Sequence, residues 1–325
     1  MKCFGAAVKV AFAIAACVIF AETVAAQQAY PTRPVKFILP FNPASATDIT
    51  ARLFADRLSQ RWGKPVVVEN RPGGDGLVSL QAFKSADDDH TLWFGPAGIF
   101  TVLPYDHDSL PLDIQRDLVP VVSVSDVVLA VSVPTSMDID SVDQLIKLAK
   151  AQPGKLNAAA SQGISDFLLF GWIKERGLDI VKVPYRDIMQ APNDLAQERI
   201  QVLSGSFAIM QPLMKAGKIK VLAVTSKQRA PTAPEIPTAV EVGYPDLTFE
   251  SVGGIFGPRG ISDSAREAIA ADIRAVSDDP VIKQRVGDIG TIMDVKGPKE
   301  FSASVKEQRD HLAVIAKILG LKALQ

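Results

Sequence analysis

From Tyr30 onward this chain alternates short β-rich runs with amphipathic stretches at helical spacing. That alternation is the signature of stacked βαβ units, which form a mostly parallel sheet with helices on its faces. Val35 to Leu39 is the first run. Ile49, Leu53, Leu58 and Trp62 then recur at helical spacing behind a capping-box-like start, Ser45-Ala46-Thr47-Asp48. Strand Val66 to Val68, a helix from Leu77 towards Ser85 and strand Thr91 to Phe94 complete a βαβαβ half. A second set follows: strands Val127 to Val133, Leu156 to Ala160, Ile180 to Val183, Val202 to Ser204 and Val221 to Thr225, with helices at Ser141 to Ala151, Ser165 to Arg176, from about Ala191, and near Ile209 to Ala216. The Pro-rich segment Ala230 to Pro237 reads as a connection running over the surface. Beyond it come strand Gly253 to Phe256, helix Ser262 to Ser277 and a helix from about Pro298 to Leu319, expected to pack on the first half.

The N-terminus reads as a cleaved export signal spanning residues 1–26. Lys2 and Lys9 make a basic region, Val10 to Ala21 an apolar run, and Val24-Ala25-Ala26 a small-residue cleavage site. The apolar run is shorter than the roughly 20 residues of a membrane span. Ile14-Ala15-Ala16-Cys17 loosely matches a lipoprotein box, but the apolar run continues past it to the better-placed cleavage site. A periplasmic location is therefore expected. Both cysteines, Cys3 and Cys17, fall in the signal, so the mature chain has neither disulfide nor thiol nucleophile. Loss of Lys2, Lys9 and Glu22 from the chain's 35 basic and 36 acidic residues leaves 33 against 35. That balance lacks the basic footprint of a nucleic-acid partner.

In open α/β sheets ligands sit beyond the carboxyl ends of strands, so the strand-to-helix turns are the candidate site. The first runs from Pro40 through Phe41, Ala44, Ser45, Ala46 and Thr47 to Asp48, entering a helix whose unpaired N–H groups favour an anion. A capped turn with no ligand fits the same residues. The second, Glu69 to Gly76, supplies glycines and Asn70, without the order G-x-G-x-x-G or a following G-K-[ST] of nucleotide loops. In the second half Ser161 and Gly163 lie at a strand end running into a helix. Val183-Pro184-Tyr185-Arg186-Asp187 ends the next strand; Tyr185 suits a pocket wall, and Arg186 and Asp187 suit ligand contact or a surface ion pair.

Enzyme signatures are largely missing. His90, His107 and His311 lack metal-ligand spacing, and no G-x-S-x-G elbow occurs. No catalytic residue, metal or cofactor is expected.

Several segments together carry a specific resemblance over essentially the whole mature chain. They are Tyr30-Pro31-Thr32-Arg33-Pro34, the Pro-Phe-x-Pro turn closed by Asp48, Val68 through Gly76, Thr91-Leu92, Val183-Pro184-Tyr185, and Leu222 to Thr225 before the Pro-rich connection. In these the chain resembles the Bug-type solute-binding receptors of tripartite tricarboxylate transporters. The resemblance implies a two-lobed periplasmic binding fold of type II-like α/β architecture. It implies a small carboxylate held in the cleft by Ala44 to Thr47, with Asp48 structuring the turn and Ser161, Gly163 and the Asp187 region opposite. It also implies permease subunits of a membrane transporter as partners. The chain departs from that pattern at Ala44-Ser45, where Gly-Gly is usual, at Asp166, where histidine is common, and at Asp187-Ile188-Met189-Gln190, where Gly-Ser follows the Pro-Tyr pair.

The expected lobes are residues 27–127 plus 251–325 and residues 128–250, in a monomer that closes by hinge motion. Alternative functions are a ligand-sensing receptor of a signalling system and a periplasmic hydrolase or lyase. An enzyme requires a base within reach of a nucleophile in the cleft lined by Ser45, Asn70, Ser161 and Asp187.

Overall fold

The computed structural model describes residues 30–185 and 188–324. The expected export signal with Cys3 and Cys17, and the site candidates Arg186 and Asp187, lie outside the described residues. In chain order the first elements are β1 (Val35–Leu39), α1 (Ala46–Trp62), β2 (Val66–Asn70), α2 (Leu77–Ala86), β3 (Thr91–Pro96), α3 (Gly98–Asp106), α4 (Ile114–Asp117) and β4 (Leu118–Val127). Next come β5 (Leu129–Pro134), α5 (Val142–Ala151), β6 (Leu156–Ala160), α6 (Ile164–Glu175), β7 (Ile180–Lys182), α7 (Ala191–Ala196), β8 (Val202–Ser206), α8 (Phe207–Lys215) and β9 (Ile219–Val224). The chain ends with β10 (Ser251–Pro258), α9 (Asp263–Ser277), α10 (Pro280–Asp288), β11 (Thr291–Met293) and α11 (Pro298–Leu319).

The strands form two sheets, one of six in the order β11-β4-β10-β3-β1-β2 and one of five in the order β7-β6-β8-β5-β9. Both are mixed, which corrects the expectation of mostly parallel sheets. The pairs β1·β2, β1·β3, β6·β7 and β6·β8 are parallel, whereas β10 runs antiparallel to β3 and β4, β11 to β4, and β5 to β8 and β9. The cause is the route of the chain. β4 carries it out of the first sheet and β10 brings it back, and as neighbours they must run in opposite directions; β5 and β9 do the same for the second sheet.

Only Val128 separates β4 from β5. The β-rich stretch read as one strand from Val127 is thus the end of a longer run, Leu118 to Pro134, divided between two sheets. Val128 is fully buried and its carbonyl accepts the Phe207 N–H at 2.8 Å, which anchors the passage.

Each sheet is covered on both faces. In the first, Val35, Phe37 and Leu39 alternate toward Phe54 and Leu58 of α1 and Ile269 and Ile273 of α9, while Ile38 faces Leu80, Phe83 and Phe301. In the second, Val131 and Val133 face α5 and α6, and Ala130 and Leu203 face α7 and α8. Two further expectations change. The Pro-rich connection is not superficial: Ala230, Ala233 and Ile236 are buried against the second sheet, because Val224 bridges Thr238 and pins the segment there. α11 does not stay with the first half either. Phe301 stacks on Phe256 at 4.9 Å, but Leu312, Ile315 and Ala316 join the core of the second sheet. Gly171 permits this, since a Cβ there would meet Ile315 Cγ2 at 2.5 Å.

Candidate functional site

The turn after β1 is braced from within. Ala44 adopts a left-handed backbone at φ 66°, a conformation glycine takes freely and alanine does not. Its N–H donates to Asp48 Oδ2 at 2.9 Å, which holds it there. Asp48 is only 2% exposed and also accepts from Arg52 Nε at 3.0 Å and Asn70 Nδ2 at 2.9 Å. Asn70 donates as well to the Phe41 carbonyl at 3.0 Å, and its Oδ1 accepts from Arg52 Nη2 at 2.9 Å. Burial works against ionisation of Asp48, but the bonds from Arg52, Asn70 and Ala44 outweigh it and hold the carboxyl below its usual range.

Ser45 is the N-cap of α1: its backbone is extended and its Oγ accepts the Asp48 N–H at 3.2 Å. Its own N–H is taken by the Asn42 carbonyl. That accounting leaves the first-turn N–H groups of Ala46 and Thr47, on partly exposed residues, at the positive end of a 17-residue helix. The turn can thus receive an anion through backbone donors. Asn70 and Asp48, both expected to line the site, have their polar atoms engaged inside the turn.

The second turn is tight for a packing reason. Gly73, Gly74, Asp75 and Gly76 all have positive φ, and a Cβ on Gly76 would stand 2.6 Å from Ile99 Cγ2 of α3. Asp75 meets His107 Nε2 at 3.6 Å. At the opposite end of these strands, just before β3, Asp88, Asp89 and His90 present atoms of metal-ligand type within 4.8 Å of one another. Arg33 pairs with both carboxylates and the Thr32 N–H donates to His90 Nε2, so these groups have partners within the protein.

In the second sheet β6 leads into Ser161, whose N–H donates to the Ser204 carbonyl at 2.9 Å. Gly163, at φ 83°, opens α6 with no side-chain cap. Asp166, in the first turn, pairs with Lys182 at 2.6 Å. Tyr185 does not stand free as a pocket wall: it is half-buried and donates to Asp194 Oδ2 at 2.7 Å, and burial together with that bond pushes its hydroxyl up to about 12.

The turns of the two sheets face each other where α3 and α6 begin. A Cβ on Gly98 would overlap the Ile164 side chain, so the lobes are in contact at that point. The sequence reading missed three participants: Arg52, Gly98 and Gln308 of α11. Arg52 was detectable, since it sits four residues after Asp48 on one helix face. Among the described residues, Ser45 Oγ is bonded to a backbone N–H, and no histidine or carboxylate bonds the Ser161 hydroxyl. Among the described residues, too, no helix is long and apolar enough to cross a membrane.

Two mixed sheets joined by paired crossing strands, with strand-to-helix turns opposed, define a two-lobed periplasmic-binding-protein fold. Residues 50–320 match the Tripartite tricarboxylate transporter family receptor, TctC, and the chain belongs to that family. It is 31% identical over 266 residues to the "UPF0065 protein in tcbD-tcbE intergenic region" of a Pseudomonas species, covering 81% of this chain and 79% of the relative. The structure of R. palustris Rpa4515 with adipate is 27% identical, with TM-score 0.78 over 91% of this chain and 100% of that one. The periplasmic binding protein BugD is 25% identical, with TM-score 0.73 over 91% of this chain and all of that one.

Proposed function

We propose that this TctC-type receptor captures a small carboxylate between its lobes and delivers it to the permease subunits of a tripartite tricarboxylate-type transporter. It acts in the periplasm as a monomer after removal of residues 1–26, and it performs no catalysis. The lobes are residues 27–127 plus 251–297 and residues 128–250, with α11 spanning both. The crossing strands around Val128 and Ser251 form the hinge.

The observation that carries the reading is the turn at Ala44 to Asp48. Ala44 keeps a left-handed backbone despite its Cβ, because a buried carboxylate braced by Arg52 and Asn70 holds it, and the first-turn N–H groups of Ala46 and Thr47, on partly exposed residues, are left for a ligand. Such a braced turn offers an anion donors that need no reorganisation. Adipate in the related Rpa4515 structure agrees in ligand class. In this reading Phe41, Ala44, Ala46 and Thr47 line one side and Ser161, Gly163 and the Asp187 region the other. Ser45, Asp48 and Asn70 hold the first side in shape.

A thermal-shift screen of the mature protein against mono-, di- and tricarboxylates tests it. A ligand at 100 times its Kd adds about 2.7 kcal/mol of stability. A library in which no carboxylate raises the melting temperature overturns the reading.

A further inference from the structure

The last helix carries a polar residue inside its apolar stripe. Phe301, Val305, Leu312 and Ile315 of α11 follow one another at four-, seven- and three-residue steps along one helix face and pack into the two cores. Gln308 occupies the same stripe between Val305 and Leu312, where the helix passes from one lobe to the other. It is 5% exposed, and among the described residues neither its Oε1 nor its Nε2 has a hydrogen-bond partner. A buried amide without partners is destabilising relative to an apolar residue of similar size, so packing gives no reason for glutamine there.

The amide lies at the seam of the lobes. A Cβ on Gly98 would stand 3.6 Å from Gln308 Nε2, and the same atom would overlap Ile164. Gly98 opens α3 directly after β3, and Ile164 opens α6 directly after Gly163. Neither helix has a side-chain N-cap, so both direct first-turn N–H groups and a positive dipole end toward this junction. Two helix starts from opposite lobes and a buried amide from a third element therefore converge on the seam between the lobes.

We infer that Gln308, together with the starts of α3 and α6, forms a polar subsite that reads a hydroxyl or amino group next to a carboxylate of the ligand. The inference rests on the carboxylate-receptor reading and narrows its substrate class. The helix starts and Nε2 only donate, which suits a carboxylate. Oε1 only accepts, and an unsubstituted alkanoate or alkanedioate brings it no proton. A hydroxy- or amino-carboxylate satisfies both atoms at once. A site built around a hydrogen bond rejects the analogue lacking that group, because its own buried atom is then left unpaired.

Calorimetric titration with matched pairs tests this: succinate against malate, succinate against aspartate, and propionate against lactate. The wild-type protein should prefer the substituted member of at least one pair by about 10- to 100-fold. Gln308→Leu and Gln308→Met, which fit the apolar stripe, should bind the two members of that pair within about threefold of each other. Equal binding of every pair by the wild type overturns the inference. So does a preference that survives in both variants while only their melting temperatures change, which is the behaviour of a packing residue. Failure of the wild type to bind any carboxylate instead sinks the receptor reading on which the inference stands.

Discussion

Ala44 and Asp48 hold each other in place: the Ala44 N–H reaches Asp48 Oδ2 at 2.9 Å while Ala44 sits at φ 66°. The resemblance places a glycine pair at Ala44-Ser45. The turn nevertheless keeps the left-handed conformation that glycine would supply, and the second position has become a helix cap. The substitution therefore preserves the conformation of the turn and adds Cβ atoms beside the first-turn N–H groups of α1.

Ala44→Gly should be close to neutral. Relief of a left-handed penalty of about 1 kcal/mol is largely offset by the greater freedom of glycine in the unfolded chain, about 0.5–1 kcal/mol. Ala44→Val, whose branched side chain suits φ > 0 poorly, should lose more than about 1 kcal/mol. Urea unfolding of both variants checks the ordering, and a large loss in the glycine variant would contradict it.

Ser45→Ala should lower stability by about 1 kcal/mol, the value of an N-cap. Affinity for a carboxylate found by screening should barely move, since the hydroxyl is engaged with the Asp48 N–H. Parallel denaturation and calorimetric titration separate the two quantities, and a drop in affinity without a drop in stability would assign Ser45 to the ligand.

Asp48→Ala should cost about 3 kcal/mol, because it leaves Asn70 and the Ala44 N–H without their shared acceptor. The pH dependence has a definite sign. A carboxyl held below its unfolded value of about 3.9 binds its proton less readily when folded. Its contribution is present above that pH and is lost as pH falls through the lower folded value. Acid unfolding of Asp48→Asn should therefore be less steep than that of the wild type, and identical slopes would count against the assignment.

Asp126 of β4 gives the opposite slope. It is 5% exposed, and burial, then the nearby carboxylates of Glu250 and Asp294, push it up to about 8 despite Lys296. The folded protein holds this proton where the unfolded chain has released it, so stability falls as pH rises from about 4 to about 8. Asp126→Asn should flatten that decline and raise the melting temperature at pH 8. Melting curves across the window check it, and an unchanged slope would remove Asp126 as the cause.

Much of the local structure was legible in the residues. Ser141 and Ser262 cap α5 and α9 through their hydroxyls, and Pro298 and Gly320 bound α11, as their types dictate at helix ends. Leu156 to Ala160 forms the strand expected of it. The candidate turns were identifiable too, since strand ends followed by helix caps are a local pattern. What the roles of Asn70 and Tyr185 would be was not, because a side chain able to reach a ligand can equally reach Phe41 or Asp194.

The sequence by itself determined the alternating elements, the capped turn at Ser45 and the need for buried sheets, because these follow from periodicity and propensity within about ten residues. Only the tertiary structure decided that the run from Leu118 to Pro134 divides at Val128 between two sheets and that returning strands lie antiparallel to departing ones. It also decided that α11 binds both lobes and carries Gln308 to their seam. Sheet membership and lobe contact depend on partners more than a hundred residues away, such as Val122 beside Ile255 and Gly171 beneath Ile315. A local pattern holds no record of which of several equally apolar surfaces will cover it.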